Sequence, residues 1–298
     1  MISLFVRDEL KRRNINSSLL SPHELQTLYE KIIKEYDQQE IDFSIYKKVF
    51  EETQQIFSTF WLEDNLTECI LNKTEEDIKA CNFFSKTTNF LILAGAGMSV
   101  DSSLKTFETM KNDITYEFEA FDKAIPHKGY EWLHSISDKF DTFILTTNVD
   151  NLFIRAGFSP ELVYECHGNY ANKVCEKCFS KYNYKDKKQI EICCGEKVVP
   201  NFVKIGTTFS EKKLDLKEGE ERLKKWFSNK CDFTIIEIGC GLRIPTLRDY
   251  SEILLKKYEN CKLIRINPSY CSISDEFRKK TALLSCGIIE AIEILNKI

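Results

Sequence analysis

Residues 89–99 read NFLILAGAGMS, an apolar run that ends in a glycine-rich turn. A short, continuous apolar run of this kind is typical of a strand buried on both faces of a parallel sheet. Gly95 and Gly97 would let the backbone approach a ligand closely, and the N–H groups from Gly95 to Ser99 could face a pyrophosphate. Val100 stands where the dinucleotide fingerprint has its third glycine, so a plain strand-to-helix turn is the alternative interpretation.

Four further segments also contain a short apolar run: DTFILTT, ELVYEC, DFTIIEI and KLIRI. They alternate with amphipathic helical segments, which predicts a parallel sheet with crossover helices. In an open α/β sheet, ligands bind outside the carboxyl ends of the strands. The residues that follow the five strands, and that we expect to converge on one cleft, are Gly95, Asn148, His167, Gly239 and Asn267.

Two of these strands are followed by polar motifs. TTNVDN places Asn148 and Asp150 where an amide and a carboxylate could hold a ribose or position a water, although both residue types are also favoured helix N-caps. ECHGNY places His167 before Gly168, whereas the other three histidines lie in segments with a helical pattern. An imidazole titrates near neutral pH, so His167 is the candidate general base. A strand-end histidine without a chemical role is the alternative.

A cysteine-rich segment follows the histidine. CEKC has the spacing of a zinc knuckle, and a second pair of thiols, adjacent to each other, follows after fourteen intervening residues. The candidate zinc ligands are Cys175, Cys178, Cys193 and Cys194. Because vicinal thiols chelate one ion awkwardly, the alternatives are a distorted site, a ligand such as Glu191 or Cys166, or no metal. A zinc ion here would fold a small module.

Composition excludes several classes of protein. The chain has 298 residues, 43% of them hydrophobic and 30% charged, as in ordinary globular proteins. A net charge of -4 with interspersed charges lacks the basic patch of a nucleic-acid-binding protein. No apolar run approaches the roughly 18 residues of a membrane span, and Arg7 comes too early for a secretory signal. Twelve cysteines without an export signal indicate a reducing compartment, so we expect an intracellular protein, cytoplasmic or nuclear.

The first 73 residues differ in pattern from the rest. SPHELQTLYEKIIKEY carries a helix start, with Ser21 as N-cap, Pro22 at the first helical position and Glu24 closing a capping box. We therefore predict a helical extension over residues 1–73 that packs on the main domain or binds a protein partner. Residues 74–298 would form the catalytic domain, with the zinc-binding module inserted at 170–205.

Taken together, these motifs resemble the sirtuin family of NAD-dependent protein deacylases, from about Thr74 to the C-terminus. Ten motifs in the same order, spread over 193 residues from Gly95 to Gly287, carry the resemblance. They are GAGMS, Phe107, PHKGYEWL with His127, TNVD, HG at His167, CEKC with the second cysteine pair, VVPNFVKIG, IGCG, LIRIN, and CG at Cys286.

The resemblance implies a Rossmann-like, doubly wound parallel sheet that binds NAD, with a small zinc-binding module and a helical subdomain over it. The acylated lysine of a protein substrate would enter between them, near KIGTTF. By the same resemblance His167 and Asn148 are catalytic, with His167 as general base on a ribose hydroxyl. The implied NAD contacts are Gly95, Ala96, Gly97, Ser99, Phe107, Asn148, Asp150, Gly239, Asn267 and Cys286.

The chain also departs from the family pattern. After GAGMS the family usually has glycine, a branched residue, proline, aspartate, phenylalanine and arginine, of which this chain keeps only Phe107. Thr147 replaces the usual glutamine, and Gly241 replaces the usual serine. Some bacterial relatives that transfer ADP-ribose to proteins share these last two features, but they tend to lack the histidine that this chain has at His167.

The resemblance therefore implies an NAD-dependent protein-lysine deacylase that cleaves NAD to nicotinamide and transfers the acyl group to ADP-ribose. A protein mono-ADP-ribosyltransferase or an NAD hydrolase on the same fold is the first alternative. A catalytically weak NAD-binding scaffold, with a partner on the N-terminal helices, is the second.

Overall fold

The computed structural model describes residues 75–105, 118–175, 177–178, 180–183, 192–202, 214–242 and 244–296. The predicted N-terminal extension, with its helix start at Ser21, lies outside these residues, and so does Phe107. The boundaries between extension, catalytic domain and inserted module stay a prediction. Within the described ranges, every helix is too short or too polar to cross a bilayer.

The described residues contain ten strands and seven α-helices. The strands are β1 (Asn89–Ala94), β2 (Asp141–Thr146), β3 (Val163–Glu165), β4 (Gly168–Cys175), β5 (Lys181–Asn183), β6 (Ile192–Cys193), β7 (Glu196–Phe202), β8 (Thr234–Ile238), β9 (Lys262–Ile266) and β10 (Thr281–Leu284). The helices are α1 (75–85), α2 (Phe118–Lys123), α3 (Lys128–Ser137), α4 (Leu152–Arg155), α5 (Leu214–Phe227), α6 (Thr246–Lys257) and α7 (Ile288–Leu295).

Six strands form one parallel sheet in the order β10-β9-β8-β1-β2-β3. The central strand β1 is buried on both faces because its side chains alternate between two cores: Phe90 and Ile92 join one, and Leu91 and Leu93 join the other. This explains why its sequence is continuously apolar. The Rossmann-like α/β fold expected from the sequence is confirmed.

Helices cover both faces of the parallel sheet. Tyr130 and Leu133 of α3 and Ile288 of α7 pack into the core that contains Phe90. Leu223 of α5 and Leu254 of α6 pack into the opposite core. The order of strands reverses between β1 and β8, which lie side by side although more than a hundred residues separate them. A reversal of this kind opens a crevice at the carboxyl ends of the strands.

The remaining strands form a small antiparallel sheet in the order β5-β4-β7-β6. Its longest pairing joins β4 to β7, with a shift of register between Gly168 and Lys173. The chain enters this sheet directly after β3, because β4 begins three residues beyond the last residue of β3. The candidate zinc ligands lie in this sheet and its turns, at the far end of β4 from the cleft.

Candidate functional site

A cleft of about 240 Å³ lies at the carboxyl ends of the parallel strands. Its walls are the glycine turn after β1, the turn after β8, the loop after β9, and Thr147 and His167, which follow β2 and β3. Four of the five residues expected to converge line this cleft: Gly95, His167, Gly239 and Asn267. Cys286 also lines it and is buried.

The two glycine turns of the cleft pack directly on each other. The Gly97 N–H donates to the Gly239 carbonyl at 3.0 Å, and the Gly95 N–H donates to the Ile238 carbonyl at 2.9 Å. A Cβ on Gly97 would lie 2.6 Å from the Gly239 Cα. Gly239 itself has a φ of 61°, in the left-handed region. The glycines are therefore required for the close packing of the turn after β1 on the turn after β8, in addition to any role in binding a ligand.

This packing corrects one expectation about the turn. Three of the N–H groups from Gly95 to Ser99 were expected to face a pyrophosphate but are used inside the protein: those of Gly95 and Gly97, described above, and that of Met98, which donates to the Gly95 carbonyl at 3.0 Å. The reason is that the turn has to close against β8. Ala96, between the two glycines, lines the cleft and begins the 3₁₀ segment Ala96–Ser102.

Asn148 and Asp150 lie behind the glycine turn and support it. The Asn148 amide donates to the Gly95 carbonyl and to the Ser99 hydroxyl, both at 3.0 Å. The Ser99 hydroxyl donates to the Asp150 carboxylate at 2.6 Å. Asp150 also accepts from the N–H of Leu152, the first residue of α4, at 2.9 Å, although the N-cap of this helix is Asn151. The predicted contacts of Asn148, Asp150 and Ser99 with NAD stay a prediction.

Two side chains from the segment PHKGYEWL complete this support. The Tyr130 hydroxyl lies 3.0 Å from the Ser99 hydroxyl, and the His127 Nε2 lies 2.7 Å from the Met98 carbonyl. His127 is also the N-cap of α3 and accepts from the Gly129 N–H at 3.0 Å. Burial raises the pKa of Asp150, although the hydrogen bond from Ser99 opposes the shift. Tyr130 was missed by sequence reasoning because its spacing on α3 indicates only a core position.

His167 is half-buried at the crossing from the parallel to the antiparallel sheet. Before it, the Cys166 N–H donates to the Thr146 carbonyl at 2.9 Å, which ties the backbone to the end of β2. After it, a Cβ on Gly168 would lie 2.1 Å from the Asn201 carbonyl oxygen, so only glycine fits between His167 and β7. The backbone on both sides of the imidazole is therefore fixed.

A buried acid lies two residues before His167. The Asn169 amide donates to the Glu165 carboxyl at 2.6 Å. Burial raises the pKa of Glu165 to about 8, and the nearby charge of Asp150 acts in the same direction. Glu165 therefore remains largely protonated near neutral pH.

Asn267 organises the loop that follows β9. Its amide donates to the Cys240 carbonyl at 3.1 Å, and its side-chain oxygen accepts from the N–H groups of Ser269 and Tyr270, both at 3.0 Å. One side chain thus connects the wall after β8 to the wall after β9. An amide can make these contacts at once because it carries both a donor and an acceptor.

The cysteines of the antiparallel sheet form a compact group. The sulfurs of Cys175, Cys178 and Cys193 all lie within 4.8 Å of one another. The Cys193 sulfur lies 3.6 Å from those of Cys178 and Cys194. Cys194 falls outside the group of three, in a turn where its φ is 55°, so its role as a ligand stays a prediction.

The donor set fits a structural zinc ion. Four thiolates bound tetrahedrally at about 2.3 Å stand roughly 3.8 Å apart, close to the spacing found here. Hydrogen bonds with Ser180 lower the pKa of the Cys178 thiol to about 6, and the thiolate is the form that binds metal. The Tyr182 hydroxyl donates to the Cys193 sulfur at 2.8 Å, as an outer partner of a ligand would. Of the other ligands considered, Cys166 bonds to the Thr146 carbonyl in the parallel sheet, and Glu191 lies outside the described residues.

The parallel sheet, the glycine-lined crevice at its carboxyl edge and the cysteine-bearing insertion define a Rossmann-like α/β protein with an inserted module. The sequence profile of the Sir2 family matches residues 103–245. The NAD-dependent protein deacetylase sir-2.4 of Caenorhabditis elegans is 32% identical over 101 residues, which cover 30% of this chain and 34% of that protein. An NAD-dependent protein deacetylase of Listeria monocytogenes is 25% identical over 235 residues, which cover 70% of this chain and 94% of that protein.

Solved structures agree on the fold. A structure described as "The Structural basis of Sirtuin Substrate Affinity" superimposes with a TM-score of 0.56 at 19% identity and covers 74% of this chain and 98% of its own. One described as "Sir2-p53 peptide-NAD+" gives a TM-score of 0.55 at 20% identity and covers 74% and 97%. The match to the Sir2 family model and the similarity to these deacetylases support assigning the chain to the sirtuins, and the solved structures share its fold.

Proposed function

We propose that the protein is an NAD-dependent protein-lysine deacylase. The observation that carries the proposal is the shared cleft: His167 and the paired glycine turns line the same cavity, at the switch point where this fold class binds nucleotides. Curated relatives described as NAD-dependent protein deacetylases or deacylases support it, one of them aligned over 94% of its length. Others match over less than half of theirs, so the activity rests on the site as much as on the relatives.

The cleft has the features that a dinucleotide requires. Gly95 and Gly97 let the turn after β1 pack closely on the turn after β8, so that both turns line the cavity, and Asn267 holds the loop after β9. NAD bound here would supply an electrophilic ribose carbon whose leaving group is nicotinamide. The support from Ser99, Asn148 and Asp150 keeps the glycine turn in one conformation, which reduces the ordering cost of binding.

His167 would act as the general base. Its imidazole would accept a proton from a ribose hydroxyl of NAD, and that hydroxyl would attack the acyl carbon of the substrate. Nicotinamide would leave from the ribose carbon, and the lysine amine would leave from the acyl carbon. The fixed backbone at Cys166 and Gly168 would hold the imidazole in place through this transfer. Zinc held by Cys175, Cys178, Cys193 and a fourth ligand would stabilise the antiparallel sheet that begins directly after His167.

The activity is tested by incubating the purified chain with NAD and an acetylated peptide, followed by mass spectrometry. O-acyl-ADP-ribose and deacetylated peptide are expected. His167→Ala should abolish deacylation and leave NAD affinity within about threefold, because the base is lost but the glycine turns remain. His134→Ala is the matched control, since His134 lies on α3 and pairs with Asp138 at 3.2 Å. Deacylation that survives His167→Ala would refute the role of this residue.

A second candidate is protein mono-ADP-ribosylation or NAD hydrolysis at the same site. It is favoured by Thr147 and Gly241, because these departures from the family pattern both line the cleft rather than lie elsewhere. The same incubation separates the candidates. Modified protein or free ADP-ribose, without O-acyl-ADP-ribose, would favour the second candidate, and bound but unchanged NAD would favour a scaffold.

We also propose that the protein works in a reducing, intracellular compartment, cytoplasmic or nuclear. None of the eleven cysteines that the structure describes forms a disulfide, which supports this location. A protein partner for the extension over residues 1–73 remains part of the proposal. Pull-downs with the full chain and with a chain lacking this extension would test it.

A further inference from the structure

Beneath the cleft, a buried charged network connects α6 to strands β8 and β9. Glu237 and Arg265 are direct neighbours in the register of the two strands, and neither is more than 1% exposed. Their side chains form an ion pair, with the Arg265 Nε 2.7 Å from the Glu237 carboxylate. Arg248 enters the same network from α6, is 4% exposed, and lies 3.9 Å from Glu237.

Arg265 also donates to the Ser272 carbonyl in the loop after β9, whereas Arg248 contacts the turn after β8 as well as this loop. The Nη1 of Arg248 donates to the Cys240 carbonyl at 3.3 Å and to the Tyr270 carbonyl at 2.6 Å, and its Nη2 donates to the Ser272 carbonyl at 3.0 Å. These carbonyls belong to two separate segments, the turn after β8 and the loop after β9. Both segments are walls of the cleft. One guanidinium therefore joins the two walls from below.

These contacts also orient the peptide group between Cys240 and Gly241. The described residues contain no cis peptide bond, and in a trans peptide the N–H points opposite to the C=O. Because the Cys240 carbonyl is held toward Arg248 and Asn267, the Gly241 N–H is directed away from them. Gly241 lines the cleft, so this N–H is a donor with a fixed direction.

Stability alone does not account for an arginine at this position. Glu237 is already paired by Arg265, and replacing buried ionic groups by apolar side chains of similar size is often neutral or stabilising. A fixed arrangement of donors, by contrast, lowers the ordering cost of binding. The long planar fork of arginine reaches three carbonyls, which the single ammonium of lysine cannot do with the same geometry.

We propose that Arg248 is a positioning residue for the dinucleotide: it sets the spacing of the turn after β8 and the loop after β9 and orients the Gly241 N–H between them. The inference rests on the proposed NAD binding, and it concerns how the walls of the cleft are preorganised for the dinucleotide. The residue does not touch the reacting atoms in this scheme.

Three variants test the role of Arg248. Arg248→Met removes the donors and keeps the volume, Arg248→Lys keeps the charge, and Ser251→Ala is the control. Ser251 lies on the same helix, is fully buried, and donates to Glu237 at 2.6 Å, but it contacts neither wall of the cleft. The readouts are the Kd for NAD by calorimetry, the melting temperature, and hydrogen exchange of the ligand-free protein.

Arg248→Met should raise the Kd for NAD about tenfold or more, Arg248→Lys should fall between it and the wild type, and Ser251→Ala should stay within about twofold. Both Arg248→Met and Ser251→Ala are expected to lower the melting temperature, because both disturb the buried network around Glu237. A difference in Kd between them is therefore not explained by loss of stability alone. Equal effects of these two variants on Kd, or an unchanged Kd in Arg248→Met, would overturn the proposal.

Hydrogen exchange separates this inference from the proposed function. Arg248→Met should speed exchange in peptides covering 238–242 and 267–273, and Ser251→Ala should not. If the wild type does not bind NAD, the proposed function fails, while faster exchange confined to these two segments still supports the positioning role. Unchanged exchange there in Arg248→Met would refute it.

Discussion

The contact between the two glycine turns leads to a quantitative prediction for Gly239→Ala. Gly239 has a φ of 61°, and a Cβ there would lie 2.4 Å from the Gly97 carbonyl carbon and from the Met98 nitrogen. Left-handed backbone costs an alanine about 1–2 kcal/mol. The clash adds about 1–3 kcal/mol, because both contacts are with backbone that can move only if the turns separate. The total loss of unfolding free energy is roughly 2–5 kcal/mol.

Gly157→Ala is the matched control for this prediction. Gly157 also has a positive φ, 97°, but its added Cβ would meet only the His134 ring, at an ordinary 3.5 Å. Its φ lies further from the left-handed minimum, so the backbone cost in the control is at least as large as at Gly239. Any excess loss of stability at Gly239 is therefore a lower bound on the free-energy cost of the clash between the turns.

The assay is urea unfolding together with calorimetric titration of NAD. Gly239→Ala should be about 1–3 kcal/mol less stable than Gly157→Ala, or roughly 3–10 °C lower in Tm. It should also lose measurable NAD affinity, because the turns that line the cleft are forced apart, whereas Gly157→Ala should bind as the wild type does. Equal stability of the two variants, with NAD affinity intact in Gly239→Ala, would refute the reasoning.

Two further predictions concern the metal and the buried acid. Elemental analysis should find about one zinc per chain, lost in Cys178→Ser and after chelation but retained in Ser180→Ala; a content near zero in the wild type would remove the site. The pKa of Glu165 is raised to about 8 in the folded state, above its unfolded value, so the unfolded chain binds fewer protons between about pH 5 and 8, and stability falls as pH rises through this range. Glu165→Gln should flatten this dependence in denaturation curves taken at several pH values, and an unchanged slope would contradict the burial of an acid there.

The sequence predicted the parallel sheet well because each of its longer strands is buried on both faces and is therefore continuously apolar. β10, with only four residues, was missed because TALL is too short to separate from the helix that follows it. The antiparallel sheet was expected only as a zinc module. Its strands are short and partly exposed, so they have no strong apolar pattern.

The sequence predicted which residues lie at the cleft better than it predicted which groups those residues contact. Residues that follow parallel strands share one edge by geometry, so four of the five expected residues reached the cleft. Asn148 and Asp150 took up contacts behind the turn instead, because the turn itself needs partners for its carbonyl and for Ser99. Arg248 had no local signal, since TLRDYSEILLKK reads as an ordinary amphipathic helix with arginine on its polar face.

One strand, β4, joins the candidate metal centre to the candidate base. It begins at Gly168, next to His167, and ends at Cys175, so seven residue steps of roughly 3.3 Å span about 23 Å between them. The shift of register between β4 and β7 lies between Gly168 and Lys173, along this same path. Because β4 connects the two sites, loss of the metal is expected to change the pH profile of catalysis through His167. This is expected although none of Cys175, Cys178 and Cys193 lines the cleft. A chain without zinc should lose order at the histidine before it loses the parallel sheet.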